Sequence, residues 1–270
     1  MNRRDRIWIT GLTALAALIW IRDRAWLRSP EDTLPLLLAF PLAAWLGRPW
    51  RWRTTPEAAN RPALATAMGA LAAGSILDLT CLLAFGWTSA LWAWMQPRLE
   101  PEDRPRIFRL LILPWMAFPW VMLDAQSIGW WFRLSGAWTV EHLGTVAGLT
   151  VTRQGTGMLV QGLPVSVDAA CSGLNVLQSL FVAGSALAYL QFSRSPLYWW
   201  NLALLLPAAW LANTLRILAI TVAALTWGPG FAMGLFHTWG GLTVLLGMFL
   251  VCSAVFEAEQ RWWSRRERQA

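Results

Sequence analysis

Apolar residues run along this chain in long blocks, and short polar stretches between them carry most of the arginines. The pattern is neither the alternation of a half-buried strand nor the single stripe of a soluble helix. It fits segments surrounded by lipid. The blocks predict spans over Ile7–Ile21, Thr33–Gly47, Pro62–Leu79, Cys81–Met95, Ile107–Leu123, Ser172–Phe192, Tyr198–Trp227 and Phe231–Phe256. The first two are short for a hydrocarbon core of about 30 Å. They are expected either to form a tight hairpin or to extend into their tryptophan-bearing flanks.

The long connection Asp124–Ala170 changes period halfway. Over Ser127–Leu149 the residues Ile128, Trp131, Leu134, Trp138 and Leu143 recur near helical spacing. This predicts an amphipathic helix on the membrane surface. Thr150–Arg153, Met158–Val160 and the alternating Val165-Ser166-Val167 then read as short strands around a Gln154-Gly155 turn region. The expected fold is an all-α polytopic membrane protein of about eight transmembrane helices. A small extracytoplasmic amphipathic helix and β-hairpin element precede the sixth span. One integral membrane domain is expected over residues 1–270, with the chemistry in the spans from about 165 to 256.

Composition removes the soluble alternative. The chain of 270 residues is 56% hydrophobic and 14% charged, against about 25% charged in an ordinary soluble domain. Many of the 21 tryptophans stand at block edges, among them Trp8, Trp20, Trp45, Trp50, Trp199, Trp200, Trp262 and Trp263. Indole favours the headgroup layer, so these edges resemble an aromatic belt. The Arg3, Arg4 and Arg6 cluster before the first block is also how a signal peptide begins. No clear small-residue cleavage site follows, so it reads as a retained first span.

The net charge of +7 comes from 22 arginines and no lysine. They lie in clusters between blocks rather than along one face, and nothing resembles a groove-reading motif, so no nucleic-acid partner is expected. With the N-terminus in the cytoplasm, sixteen arginines fall on the cytoplasmic side and five outside, and Arg216 is left within an apolar block. That imbalance predicts cytoplasmic N- and C-termini in the inner (plasma) membrane. Cys81, Cys171 and Cys252 have no CxxC spacing and leave one over. That argues against a disulfide framework and against a zinc site. No metal and no cofactor is expected.

Three residues carry candidate chemistry. Cys171 sits where the β element meets the sixth span, with Ser172 or a neighbour able to cap the helix. A thiol there feels the positive end of the helix dipole, which favours thiolate; the plainer reading is a small buried residue. Arg216, in Asn213-Thr214-Leu215-Arg216-Ile217, is a cation in an apolar block. Such charges usually face a polar cavity and mark function, although an arginine near a span end can also snorkel to the headgroups. Asn213, one turn earlier, can orient Arg216 or a substrate, or serve helix packing. His237 opens the eighth span after the turn Trp227-Gly228-Pro229-Gly230. The other histidine, His142, reads as a polar group on the surface helix. Cys81 and Cys252 read as small buried residues. The topology puts Cys171, Arg216 and His237 at one outer face, and a cysteine, a base and a cation make a consistent acyl-transfer set.

At these residues the chain resembles the exosortase/archaeosortase family. Val165-Ser-Val-Asp-Ala-Ala-Cys171-Ser-Gly-Leu174 is similar to its strand and A-C-S-G-[LI] motif. Leu211-Ala-Asn-Thr-Leu-Arg216-Ile217 is similar to its N-x-x-R-I motif. Phe236-His237 before Gly240-Gly241 matches the place of the third catalytic residue. The order Cys, Arg, His resembles the bacterial exosortase branch. Asp168, three residues before the cysteine, takes no role from the resemblance.

The resemblance implies a membrane cysteine transpeptidase or protease. Its partners would be exported proteins with a C-terminal sorting signal: a short motif (Pro-Glu-Pro in the commonest type), a transmembrane helix and a basic cluster. A thioester at Cys171 would pass to an acceptor amine or to water. Membrane lipid is the other expected partner. Two rival classes follow from the residues alone. A transporter with an anion site at Arg216 would be indifferent to Cys171→Ser. A scaffold of an exopolysaccharide system would need none of the three residues.

Overall fold

The computed structural model describes residues 3–27, 29–166 and 173–267, with the side chains at 165, 166, 233, 235–238 and 267 left out. Twelve α-helices and one small sheet make up the described residues. Helix α1 spans Arg3–Arg22, α2 Pro30–Leu46, α3 Arg61–Ile76 and α4 Thr80–Met95. Three short helices follow: α5 Arg104–Leu110, α6 Ile112–Met116 and α7 Trp120–Asp124. Then come α8 Gln126–Val146, strands β1 Val151–Gln154, β2 Gly157–Val160 and β3 Leu163–Ser166, and helices α9 Leu174–Phe192, α10 Leu197–Trp227, α11 Pro229–Met233 and α12 Leu235–Glu267.

Two expectations are corrected. The block Ile107–Leu123 is not one helix. Pro119 stands in the break before α7 and Pro114 lies inside α6, one turn after the break at Leu111; a proline ring removes a helical donor and crowds the preceding turn. The β element is a three-stranded antiparallel meander rather than a hairpin, with Val151 opposite Val160 and Gly157 opposite Ser166. The first two blocks form helices of 20 and 17 residues that gain a few polar residues at their N-terminal ends and stop short of the flanking Trp26, Trp50 and Trp52. Residues 167–172, including Asp168, Cys171 and Ser172, lie outside the described residues.

Among the described residues three helices are long and apolar enough to cross a membrane: Leu174–Phe192, Leu197–Trp227 and, within α12, Trp239–Arg266. Helix α10 holds its course through Pro207 over 31 residues, about 46 Å at 1.5 Å per residue. That exceeds the roughly 30 Å apolar core. The protein is therefore all-α and membrane-spanning in part, with one small sheet.

The chain forms two compact units. The first holds residues 1–124 and 185–198. Its core packs Leu12, Ala16 and Ile19 of α1 against Leu83, Ala84 and Trp87 of α4, with Phe118 fully buried beside them. The indoles there are tied down: Trp87 donates to the Leu12 carbonyl at 2.7 Å and Trp20 to that of Ala117 at 2.9 Å. A buried indole needs such an acceptor. In the loops of this unit Arg51 donates two hydrogen bonds to Asp103, at 2.8 and 2.9 Å. They hold the buried Asp103 carboxyl below the usual carboxylate range.

The second unit holds residues 125–184 and 199–270. Ala137 and Val140 of α8, Met158 and Val160 of β2, and Ile217, Ile220 and Ala223 of α10 form its core. Trp210 donates to Ser135 at 2.9 Å, and Gly136 lets α8 approach the side chain of Ile217. The surface helix expected from sequence is thus also a packing partner of α10. His142 is exposed and lies against the ring of Trp138.

Candidate active site

Within the second unit, α10 is flanked by two helices that run antiparallel to it. Gly184 of α9 lies against Leu205, and Gly173, the residue just before α9, lies against Asn213. On α12, Asn201 donates to Glu259 at 2.7 Å, and Gly241 lies against Arg216. In both pairs, later positions on α10 meet earlier positions on the neighbour, which fixes the direction of each. The N-terminal ends of α9 and α12 therefore meet the same turn of α10, the turn holding Asn213 and Arg216. Helix N-termini carry partial positive charge.

Five polar or charged residues of α10 are buried: Asn201, Asn213, Thr214, Arg216 and Thr221. Thr214 and Thr221 satisfy themselves by donating to the carbonyls of Trp210 and Ile217, each at 2.9 Å. Asn201 is held by Glu259. The other two differ. Asn213 is 0% exposed and, among the described residues, neither its Oδ1 nor its Nδ2 has a hydrogen-bond partner. Arg216 is 2% exposed and its Nε has none among the described residues. Buried polar groups are nearly always paired, because an unpaired one costs about 1–3 kcal/mol and a charge more. The Asn213 amide and the Arg216 Nε, one turn apart and without partners among the described residues, can donate to an anionic or oxyanionic group.

The close approaches explain two glycines to which the sequence alone gave no role. A β-carbon on Gly173 would stand 2.6 Å from Cγ of Asn213, and one on Gly241 would stand 2.8 Å from Nε of Arg216. Gly173 also has φ +74°, and its carbonyl accepts the first turn's bond from Leu177 at 2.8 Å. Glycine is the residue that takes this backbone without strain. In sequence the signal was only a glycine at the start of one apolar block and a glycine pair near the start of another.

The expected site residues are thus placed unevenly. Asn213 and Arg216 are described in full. His237 lies in α12 one turn before Gly241, with its side chain outside the described residues, and Cys171 lies two residues before Gly173, also outside them. Cys81 and Cys252 carry free thiols, half-buried and buried, and no group of three or more His, Cys, Asp or Glu that could hold a metal occurs among the described residues.

Residues 7–255 match the family model of the transmembrane exosortases (Exosortase_EpsH). The chain belongs to the exosortase family, and the match runs over most of its length. No curated protein and no solved structure matches it.

Proposed function

We propose that this protein is a membrane cysteine transpeptidase or protease that cleaves C-terminal sorting signals of exported proteins through a thioester at Cys171. What supports this most is the pair of contacts Gly173–Asn213 and Gly241–Arg216. They bring Gly173, two residues after Cys171 in sequence, and Gly241, one turn after His237, to the one turn of α10 that holds Asn213 and Arg216. A transport site explains the cation but gives no reason for Gly173 to lie against the same turn.

In this reading the chain crosses the inner membrane about eight times with both termini in the cytoplasm. The site opens at the extracytoplasmic face beside α8 and the meander. The substrate tail lies with its apolar helix in the bilayer and its motif at that face. Cys171 gives its proton to His237 and its sulfur attacks the scissile carbonyl. Arg216 donates to the oxygen as negative charge develops on it, and Asn213 binds the substrate or orients Arg216. The tetrahedral intermediate then expels the amine of the tail, which takes the proton from His237, leaving a thioester. An acceptor amine or water attacks this acyl group and restores the thiol.

The test follows a protein whose tail has a motif, an apolar helix and an arginine cluster, in membranes holding wild type or Cys171→Ala. Cleavage with wild type alone supports the reading, and any mass added to the new C-terminus identifies the acceptor. Equal processing by both removes Cys171 from the mechanism.

A further inference from the structure

We infer that Gly241 is a positioning residue, whose missing side chain leaves the notch in α12 that fixes the guanidinium of Arg216. This rests on the catalytic reading of Arg216 given above. A β-carbon at 241 would meet Nε, Cζ and Nη2 of that one guanidinium at 2.8, 3.0 and 3.1 Å, and these are its three nearest neighbours. Among the described residues nothing else crowds the position as closely. Six residues on, Gly247 of the same helix has open space around it. Close packing of α12 as a whole therefore does not account for the glycine at 241.

The consequence is directional. The atoms in the way belong to the far end of a flexible side chain, so an alanine at 241 is accommodated by moving the guanidinium rather than the helices. An ordinary non-bonded separation is about 3.5–4.0 Å, so the displacement is roughly 1 Å. A shift of that size in a group aimed at a transition state costs up to about a hundredfold in rate. The helix itself loses nothing on this count, because alanine is a better helix former than glycine. Activity and stability should separate.

The experiment uses the full chain in detergent. The substrate is a reporter protein ending in Pro-Glu-Pro, an apolar helix and an arginine cluster. Initial cleavage rates are measured across reporter concentration for wild type, Gly241→Ala, Gly247→Ala and Arg216→Ala, alongside thermal unfolding. We expect Gly241→Ala to lower kcat roughly ten- to a hundredfold, with KM little changed and the unfolding midpoint not lowered. Gly247→Ala should match wild type. A fully active Gly241→Ala beside an inactive Arg216→Ala overturns the positioning role and leaves Arg216 standing. An effect of Gly241→Ala confined to KM overturns it as well. A fully active Arg216→Ala overturns both. Should Gly241→Ala not fold, the double variant with Arg216→Ala must fold, since the obstructing atoms are gone. A double variant that still fails assigns the glycine to helix packing and overturns the inference.

Discussion

Gly173 lies so near Asn213 that a β-carbon on the glycine would stand 2.6 Å from the amide carbon, and the glycine backbone is left-handed there, at φ +74°. Gly173→Ala therefore meets two separate obstacles. The backbone alone costs about 1–2 kcal/mol for an L-residue. The side-chain clash adds to it and turns Asn213 away. The variant should unfold at a lower temperature and lose activity. Adding Asn213→Ala should recover part of the lost stability and none of the activity, as thermal unfolding and reporter cleavage will show.

Arg216 is the one buried cation on α10. Removing an oxyanion donor typically costs about 3–4 kcal/mol in the transition state. Arg216→Ala should thus lower the cleavage rate on the order of a hundredfold or more. Arg216→Lys should not restore it well, because the planar fork of donors is lost. Rates near wild type in either variant remove the residue from the mechanism.

Asn213 offers a sharper contrast. Its amide is fully buried and without a partner among the described residues, so Asn213→Ala removes an unsatisfied group and should not lower stability. A single neutral hydrogen bond to substrate is worth about 0.5–1.5 kcal/mol net, so the rate should fall about two- to tenfold. Asn213→Asp should behave differently. A carboxylate one turn from Arg216 pairs with it, cancels the cation and silences the enzyme about as fully as Arg216→Ala, while thermal stability rises.

How much of this was legible beforehand differs by element. The three long apolar helices were readable because each is a block of residues that lipid or packing can bury whole. Arg216 stood out because a charge in such a block needs a reason. The block Ile107–Leu123 misled because hydropathy averages over Pro114 and Pro119, which break the helix without breaking the apolar run. The third strand was legible at Val165-Ser166-Val167 but starts two residues earlier, since Leu163-Pro164 does not alternate like a strand. The meeting of Gly173 with Asn213 and of Gly241 with Arg216 had no sequence signature. A contact made through a missing side chain leaves no periodic mark, and helix register is set by packing rather than by pattern.

In the first unit, Asp103 is buried and held by Arg51. Its carboxyl is depressed in the folded state by that hydrogen bond, so its contribution is complete above the ordinary carboxylate value of about 3.9. It is lost as pH falls through the lower folded value. Asp103→Asn should lower the unfolding midpoint at neutral pH. It should also flatten the decline that wild type shows on acidification below about pH 4.

The thioester is the centre of the account, and intact mass measurement of the enzyme tests it most directly. The protein would be mixed with the reporter for a few turnovers, quenched in acid and weighed, with and without hydroxylamine. We predict an adduct equal in mass to the processed reporter less one water, located on the peptide holding Cys171 and released by hydroxylamine. Processed reporter with no adduct, together with full processing by Cys171→Ser, would contradict the account.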